Sequence, residues 1–192
     1  MLRDNKSTAL VVALLLLGLV CFGCAKKEEK PVVQAPPPPP EVVIKTVTPL
    51  TAACLSKVGP YSETGKSLGE LFGWLAKKKL TIEGPPMGIY YDDPKTVAPE
   101  KTRYEVCLPI TPGTKGDKNV KVKELPGGEM AVIMHHGPYG QCGGAYEKIC
   151  KWIAESGYEI IGAAREIYLN DPGKVPPDSL LTEIQFPVKK KM

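Results

Sequence analysis

The chain has 192 residues, a formal net charge of +4 and 20 prolines, about twice the usual share of that residue. The charge sits at the ends: residues 1–24 contribute +1 and Lys189 to Lys191 contribute +3, while residues 25–41 balance and residues 42–188 are neutral. A neutral body of this size lacks the basic footprint of a nucleic-acid-binding surface, and the length fits one ordinary domain with appendages.

Arg3 and Lys6 precede an apolar run from Ala9 to Val20. A dozen residues is short for a membrane span of roughly 20 but fits the apolar region of an export signal. The run ends in "LVCFGCAKK". Gly23 before Cys24 resembles a bacterial lipobox, in which Cys24 is diacylated and becomes the new N-terminus; Cys21 stands where a leucine is usual. Residues 1–24 are therefore expected to be a lipoprotein signal, with plain secretion or an uncleaved anchor as the rivals. Residues 25–41 are charged and carry the run Pro36 to Pro40. Polyproline II geometry suits them to a tether between membrane and domain. Ala25 carries no acidic retention signal, which points to the outer membrane where a cell has one.

From Val42 onward the chain repeats itself. "GPYSETGKSLGELFGWL" begins at Gly59 and "GPYGQCGGAYEKICKWI" at Gly137, an offset of 78 that holds without a gap to the end of the second copy. Trp74 matches Trp152, Tyr90 matches Tyr168, Glu105 matches Glu183 and Pro109 matches Pro187. Each copy reads as strand, helix, strand, strand. The first strands are expected near Val42 to Lys57 and Val120 to His135, each ended by Gly-Pro-Tyr. The helices carry Leu68, Leu71, Phe72 and Leu75 in copy one, and Tyr146, Ile149, Cys150 and Ile153 in copy two, at helical spacing. Two strands follow in each copy, joined by Asp-Pro and proline-rich loops. Neither copy alone buries enough surface to be stable. The expected fold is α+β: tandem duplicated strand-helix-strand-strand units in one antiparallel sheet, with two helices on one face. The domain is bounded at residues 42–188, with residues 189–192 as a basic tail. The four cysteines of the domain are Cys54, Cys107, Cys142 and Cys150. Cys142 and Cys150 are about 12 Å apart along a helix, too far to bond directly. Buried thiols and one disulfide both remain open, and no metal pattern is seen.

The segments "GPPMGIYYDDP", "YEVCLPI", "AREIYLNDP" and "LTEIQFPV", in this order and spacing, resemble the GyrI-like small-molecule-binding domain, which also serves as the effector-binding domain of AraC-type and multidrug-sensing regulators. The resemblance covers residues 42–188. It implies two modules forming a concave sheet, with a pocket on the pseudo-twofold axis and an acid at its base that meets cationic, lipophilic ligands. No helix-turn-helix precedes the domain in this sequence, so neither direct DNA binding nor gyrase inhibition is expected of an exported chain.

Strand alternation in "GAAREIYLND" sends Glu166, Tyr168 and Asn170 to one face and Arg165, Ile167 and Leu169 to the other. Offset 78 pairs Glu166 with Gly88, whereas Glu105 and Glu183 occur in both copies. An acid present once is not required by the scaffold, so Glu166 is the principal candidate, and the resemblance implies the same residue. Tyr168 shares its face. Trp74, Trp152, Tyr90 and Tyr139 are candidate walls, the tryptophans facing each other across a groove or each packing on the sheet, and Glu183 is a further candidate. A carboxylate among aromatic rings selects flat apolar cations. Two other readings stay open. One is a hydrolase of strained electrophilic molecules, with Glu166 as general base and Tyr168 as its companion. The other is a SOUL-type haem-binding protein; there His135 and His136 would be the candidates, although adjacent strand residues point to opposite faces. No cofactor or metal is expected, and the partners are a small molecule and the membrane.

Overall fold

A computed structural model of the protein describes residues 42–192; the expected signal, Cys24 and the linker lie outside them. In chain order the elements are β1 (Val43–Val47), β2 (Leu50–Val58), α1 (Thr64–Lys78), β3 (Met87–Tyr90), β4 (Arg103–Pro109), β5 (Val120–Leu125), β6 (Gly128–His136), α2 (Gly143–Glu155), β7 (Tyr158–Ile160), β8 (Ala164–Tyr168) and β9 (Leu181–Lys190). The strands form one antiparallel sheet in the order β1-β6-β9-β8-β3-β4-β2-β5, with β7 added to the end of β9. This is the duplicated α+β architecture that the repeat predicts. Among the described residues, no helix is long and apolar enough to cross a membrane.

The long first strand of each copy is instead two strands. Pro49 separates β1 from β2, and Pro126-Gly127 separates β5 from β6. Proline has no N–H for a ladder and fixes its own φ, so the chain turns there. The halves then change partners. β1 of copy one pairs with β6 of copy two, and β5 of copy two pairs with β2 of copy one. The acids shared by both copies serve this exchange. Lys123 on β5 donates to Glu105 on β4 at 2.6 Å, and Lys45 on β1 donates to Glu183 on β9 at 2.5 Å. Lys45 and Lys123 are themselves 78 apart, so the two ion pairs are one motif used twice, each tying an edge strand to the other repeat. β9 also runs further than expected. Lys189 and Lys190 pair with Glu159 and Tyr158 on β7, so the strand includes half of the anticipated tail.

Each helix covers its own repeat. Leu71 and Leu75 of α1 pack with Ala53, Leu55, Val106 and Leu108; Ile149 and Ile153 of α2 pack with Ala131, Ile133, Ile184 and Phe186. The expected apolar stripes are rotated slightly. Phe72 is 42% exposed, and its repeat equivalent Cys150 is exposed too. Both helices stop at a left-handed residue, Lys79 (φ 54°) in copy one and Gly157 (φ 74°) one position past the cap of copy two. Glycine takes that conformation without strain; lysine is held in it by Lys79 N–H and Leu80 N–H bonding back to Ala76 and Leu75. On the helix-free face, Cys54 and Cys107 are cross-strand partners as buried thiols, with Glu105 beside them. That carboxylate is already engaged by Ser56, Tyr91 and Lys123.

Candidate functional site

The central pair of strands, β3 and β8, lies between the two helix-covered halves. Its register sets Gly88 opposite Glu166, and these two are also equivalent in the repeat. The pseudo-twofold axis therefore passes between them. One row crosses the sheet on the helix face: Leu55, Val106, Gly88, Glu166, Ile184, Ile133. Val106, Ile184 and Ile133 in that row are wholly buried. A single carboxylate thus stands on the axis in an otherwise apolar row.

Tyrosines enclose it. Tyr146 of α2 donates to Glu166 Oε1 at 2.8 Å, and Tyr168 donates to Oε2 at 3.2 Å. Tyr90 lies 2.6 Å from the Tyr168 hydroxyl. Because Tyr168 gives its proton to the carboxylate, Tyr90 is the donor in that contact, and its oxygen in turn meets Thr64 Oγ1 at 3.2 Å. Tyr61 packs edge-on to Tyr90 at 4.7 Å, and its repeat partner Tyr139 packs likewise on Tyr168 at 5.2 Å. Tyr104 stacks beside Tyr90 at 6.3 Å. Six of the chain's eight tyrosines gather here, so the carboxylate stands in an aromatic cage at the margin of the core.

Burial raises the pKa of Glu166; the hydrogen bonds from Tyr146 and Tyr168 and the nearby His135 pull the other way without cancelling it. Burial also raises Tyr90, Tyr146 and Tyr168 above the usual phenol range, so all three are proton donors at neutral pH. His135 shares the face of Tyr168 in the ladder, and its Nε2 sits 3.1 Å from the Pro138 carbonyl.

Of the residues singled out from sequence, the fold brings together Glu166, Tyr168, Tyr90 and Tyr139. It keeps three elsewhere. Trp74 packs on the α1 half and donates to Asp117 at 2.6 Å, with Lys78 Nζ 5.2 Å from its ring centre. Trp152 stacks on Tyr158 at 6.0 Å in the α2 half. Neither tryptophan reaches the axis, so the facing-tryptophan groove is not formed. Glu183 pairs in register with Ile167, which puts it on the opposite face from Glu166. Tyr146 and Tyr61 were missed. A signal for Tyr146 existed: offset 78 pairs it with Leu68, the same one-copy-only polarity that marks Glu166 against Gly88.

A profile of the GyrI-like small molecule binding domain matches residues 40–189. The chain belongs to the GyrI-like small-molecule-binding family. Among curated relatives, "DNA gyrase inhibitor 2" of Dickeya dadantii (strain 3937) is 29% identical over 128 residues, covering 64% of this chain and 81% of that protein. Among solved structures, the EcmrR C-terminal domain superposes with a TM-score of 0.70 at 24% identity, covering 79% of this chain and 98% of that domain. The chain spans only 58% of EcmrR in its DNA-bound assembly, and the likeness is to the C-terminal domain. More distantly, a hydrolase encoded by lin2189 of Listeria innocua (TM-score 0.60, 17% identity, 80% and 94% covered) and SAV2435 bound to tetraphenylphosphonium (0.52, 11%, 78% and 94%) share the fold. Membership of that family makes the matched span, residues 40–189, a small-molecule-binding domain.

Proposed function

We propose that this domain binds small, aromatic, lipophilic cations in a cleft between α1 and α2, with Glu166 as the counter-charge. The observation that carries the reading is the lone axial carboxylate inside a tyrosine cage. A cation entering it gains ion pairing in a low-dielectric site and about 0.5–2 kcal/mol from each aromatic face. It also relieves the cost of keeping Glu166 charged there, because an opposite charge lowers the raised pKa. Tyr146 and Tyr168 hold the two carboxylate oxygens in place, so the guest meets a pre-oriented anion. The tetraphenylphosphonium held by SAV2435 is a ligand of this chemical type.

The test is a titration of the chain from Ala25 onward, wild type and Glu166→Gln, with tetraphenylphosphonium and with a neutral aromatic of similar size. Glu166→Gln is expected to weaken the cation by tenfold or more, about 1.4 kcal/mol, and the neutral compound little. Equal loss of both, or no loss, removes Glu166 as the anchor. Mass spectrometry of strained electrophiles incubated with both proteins runs beside it. Products that have gained one water, made by wild type alone, assign Glu166 to general-base hydrolysis instead.

We further propose that the domain is exported and held to a membrane through a diacylated Cys24, with residues 25–41 as its tether. The apolar run of signal length and the Gly23-Cys24 junction support this. Metabolic labelling with a radioactive fatty acid should mark the wild-type chain and leave Cys24→Ala unlabelled. Unlabelled wild type recovered free in the medium would end the claim.

A further inference from the structure

The cation reading uses one face of β8 and leaves the other unexplained. On that other face a cavity of about 520 Å³ opens, lined in part by Leu50, Met87, Ile110, Ile167, Arg165 and Gln185. Arg165 is 7% exposed and sits between Ile89 and Gln185 in the ladder. One terminal nitrogen donates to the Pro126 carbonyl at 2.9 Å. A guanidinium offers five N–H donors, so most of its capacity is unspent on that bond. Among the described residues, no carboxylate forms an ion pair with it. The acids nearby are committed: Glu183 accepts from Lys45 and from Gln185, and Glu83 at the exposed rim accepts from Thr111. A buried charge without a counter-charge is costly, and arginine is rarely buried unpaired. The scaffold does not demand it either, because the repeat equivalent of Arg165 is Met87.

We propose that Arg165 and this cavity form a second binding site, for a small amphipathic anion whose carboxylate meets the guanidinium and whose apolar tail lies along Leu50, Met87, Ile110 and Ile167. The planar fork of arginine matches a carboxylate with two parallel bonds, and the surrounding side chains give the head group little water to return to. The site is separate from the Glu166 cleft: successive residues of β8 point to opposite faces, so the strand presents an acid to one ligand and a base to another. The inference stands whether or not the cleft binds cations.

Calorimetric titration of the full-length protein with decanoate tests it, with decanol as the uncharged counterpart. One decanoate per chain is expected, bound at least tenfold more weakly by Arg165→Met and with intermediate strength by Arg165→Lys. Decanol should be indifferent to both substitutions. Arg165→Lys keeps the charge and guards against a methionine variant that does not fold. The site is refuted if wild type shows no saturable decanoate binding, if decanol binds equally well, or if both variants bind decanoate as wild type does. Binding to phosphatidylglycerol vesicles that Arg165→Met abolishes, without decanoate binding, would assign a lipid surface and overturn the proposal as well.

Discussion

Glu166→Gln is expected to make the unliganded domain more stable at neutral pH. The sign follows from the direction of the shift. Burial raises the pKa of Glu166 in the folded chain above the roughly 4.3 of an unfolded glutamate. The folded state therefore holds this proton more tightly, and its stability contribution is full below about pH 4. That contribution is lost as pH rises through the folded value, beyond which an ionised carboxylate sits in the cage. Glutamine removes the ionisation, keeps the shape and still accepts from Tyr146. The two proteins should therefore melt alike at pH 4. At pH 7.5 the variant should be ahead by about 1–2 kcal/mol, or several degrees in Tm. His135, Cys142 and the three hydroxyls facing the carboxylate are present in both proteins, so the difference curve reports Glu166 together with its coupling to them. A saturating lipophilic cation should reverse the order: at 100 times its Kd it stabilises wild type by about 2.7 kcal/mol and the variant far less. Thermal melts across pH 4–8, with and without tetraphenylphosphonium, decide the matter. A variant that melts below wild type at pH 7.5 without ligand would show that the carboxylate is a structural anchor and not a strained binding group.

Much of this was legible in the sequence because the repeat is ungapped. Offset 78 predicts the helices, the β3–β4 and β8–β9 pairs and the single antiparallel sheet. It also singles out Glu166 by its absence from copy one. Glu183, kept from sequence as a further candidate, instead joins Glu105 as shared scaffold, each in a matched ion pair with Lys45 or Lys123. The exchange of β1 and β5 between copies was not legible. A run of apolar and polar residues reports a strand, not its partner, and only Pro49 and Pro126 hinted at the breaks. Sharing between copies is also an ambiguous signal until the axis is located. Tyr90 and Tyr168 are shared, yet they meet in the site because they flank the axis. Trp74 and Trp152 are shared in the same way, but they lie far out on the helices, so symmetry keeps them apart. Tyr146 was hidden by its place on the apolar stripe of α2, where one hydroxyl does not disturb the helical period.

The asymmetry at Gly88 predicts the second large effect. A Cβ built on Gly88 would lie 2.7 Å from the ring and hydroxyl of Tyr90, closer than real side chains approach. Elsewhere a flexible side chain would swing aside at little cost. Here Tyr90 is fixed by Tyr61 and Tyr104 on its faces and by Tyr168 and Thr64 at its hydroxyl. Gly88→Ala must therefore either strain the cage or expel the ring, at a cost of about 1–3 kcal/mol. Once Tyr90 leaves, Tyr168 loses the donor that polarises it toward Glu166, and the guest loses an aromatic wall. Cation affinity should fall by about tenfold, although the substitution touches neither charge. The cause can be separated from a general weakening of β3 by a double-mutant cycle. In a Tyr90→Ala background the methyl group meets open space, so Gly88→Ala should there cost little in stability or affinity, and the coupling should reach about 0.5–3 kcal/mol. If the two substitutions instead prove additive in urea unfolding, Gly88 is a strand position like any other. With coupling, the glycine is the space into which copy one folds its tyrosine so that copy two can keep its acid on the axis.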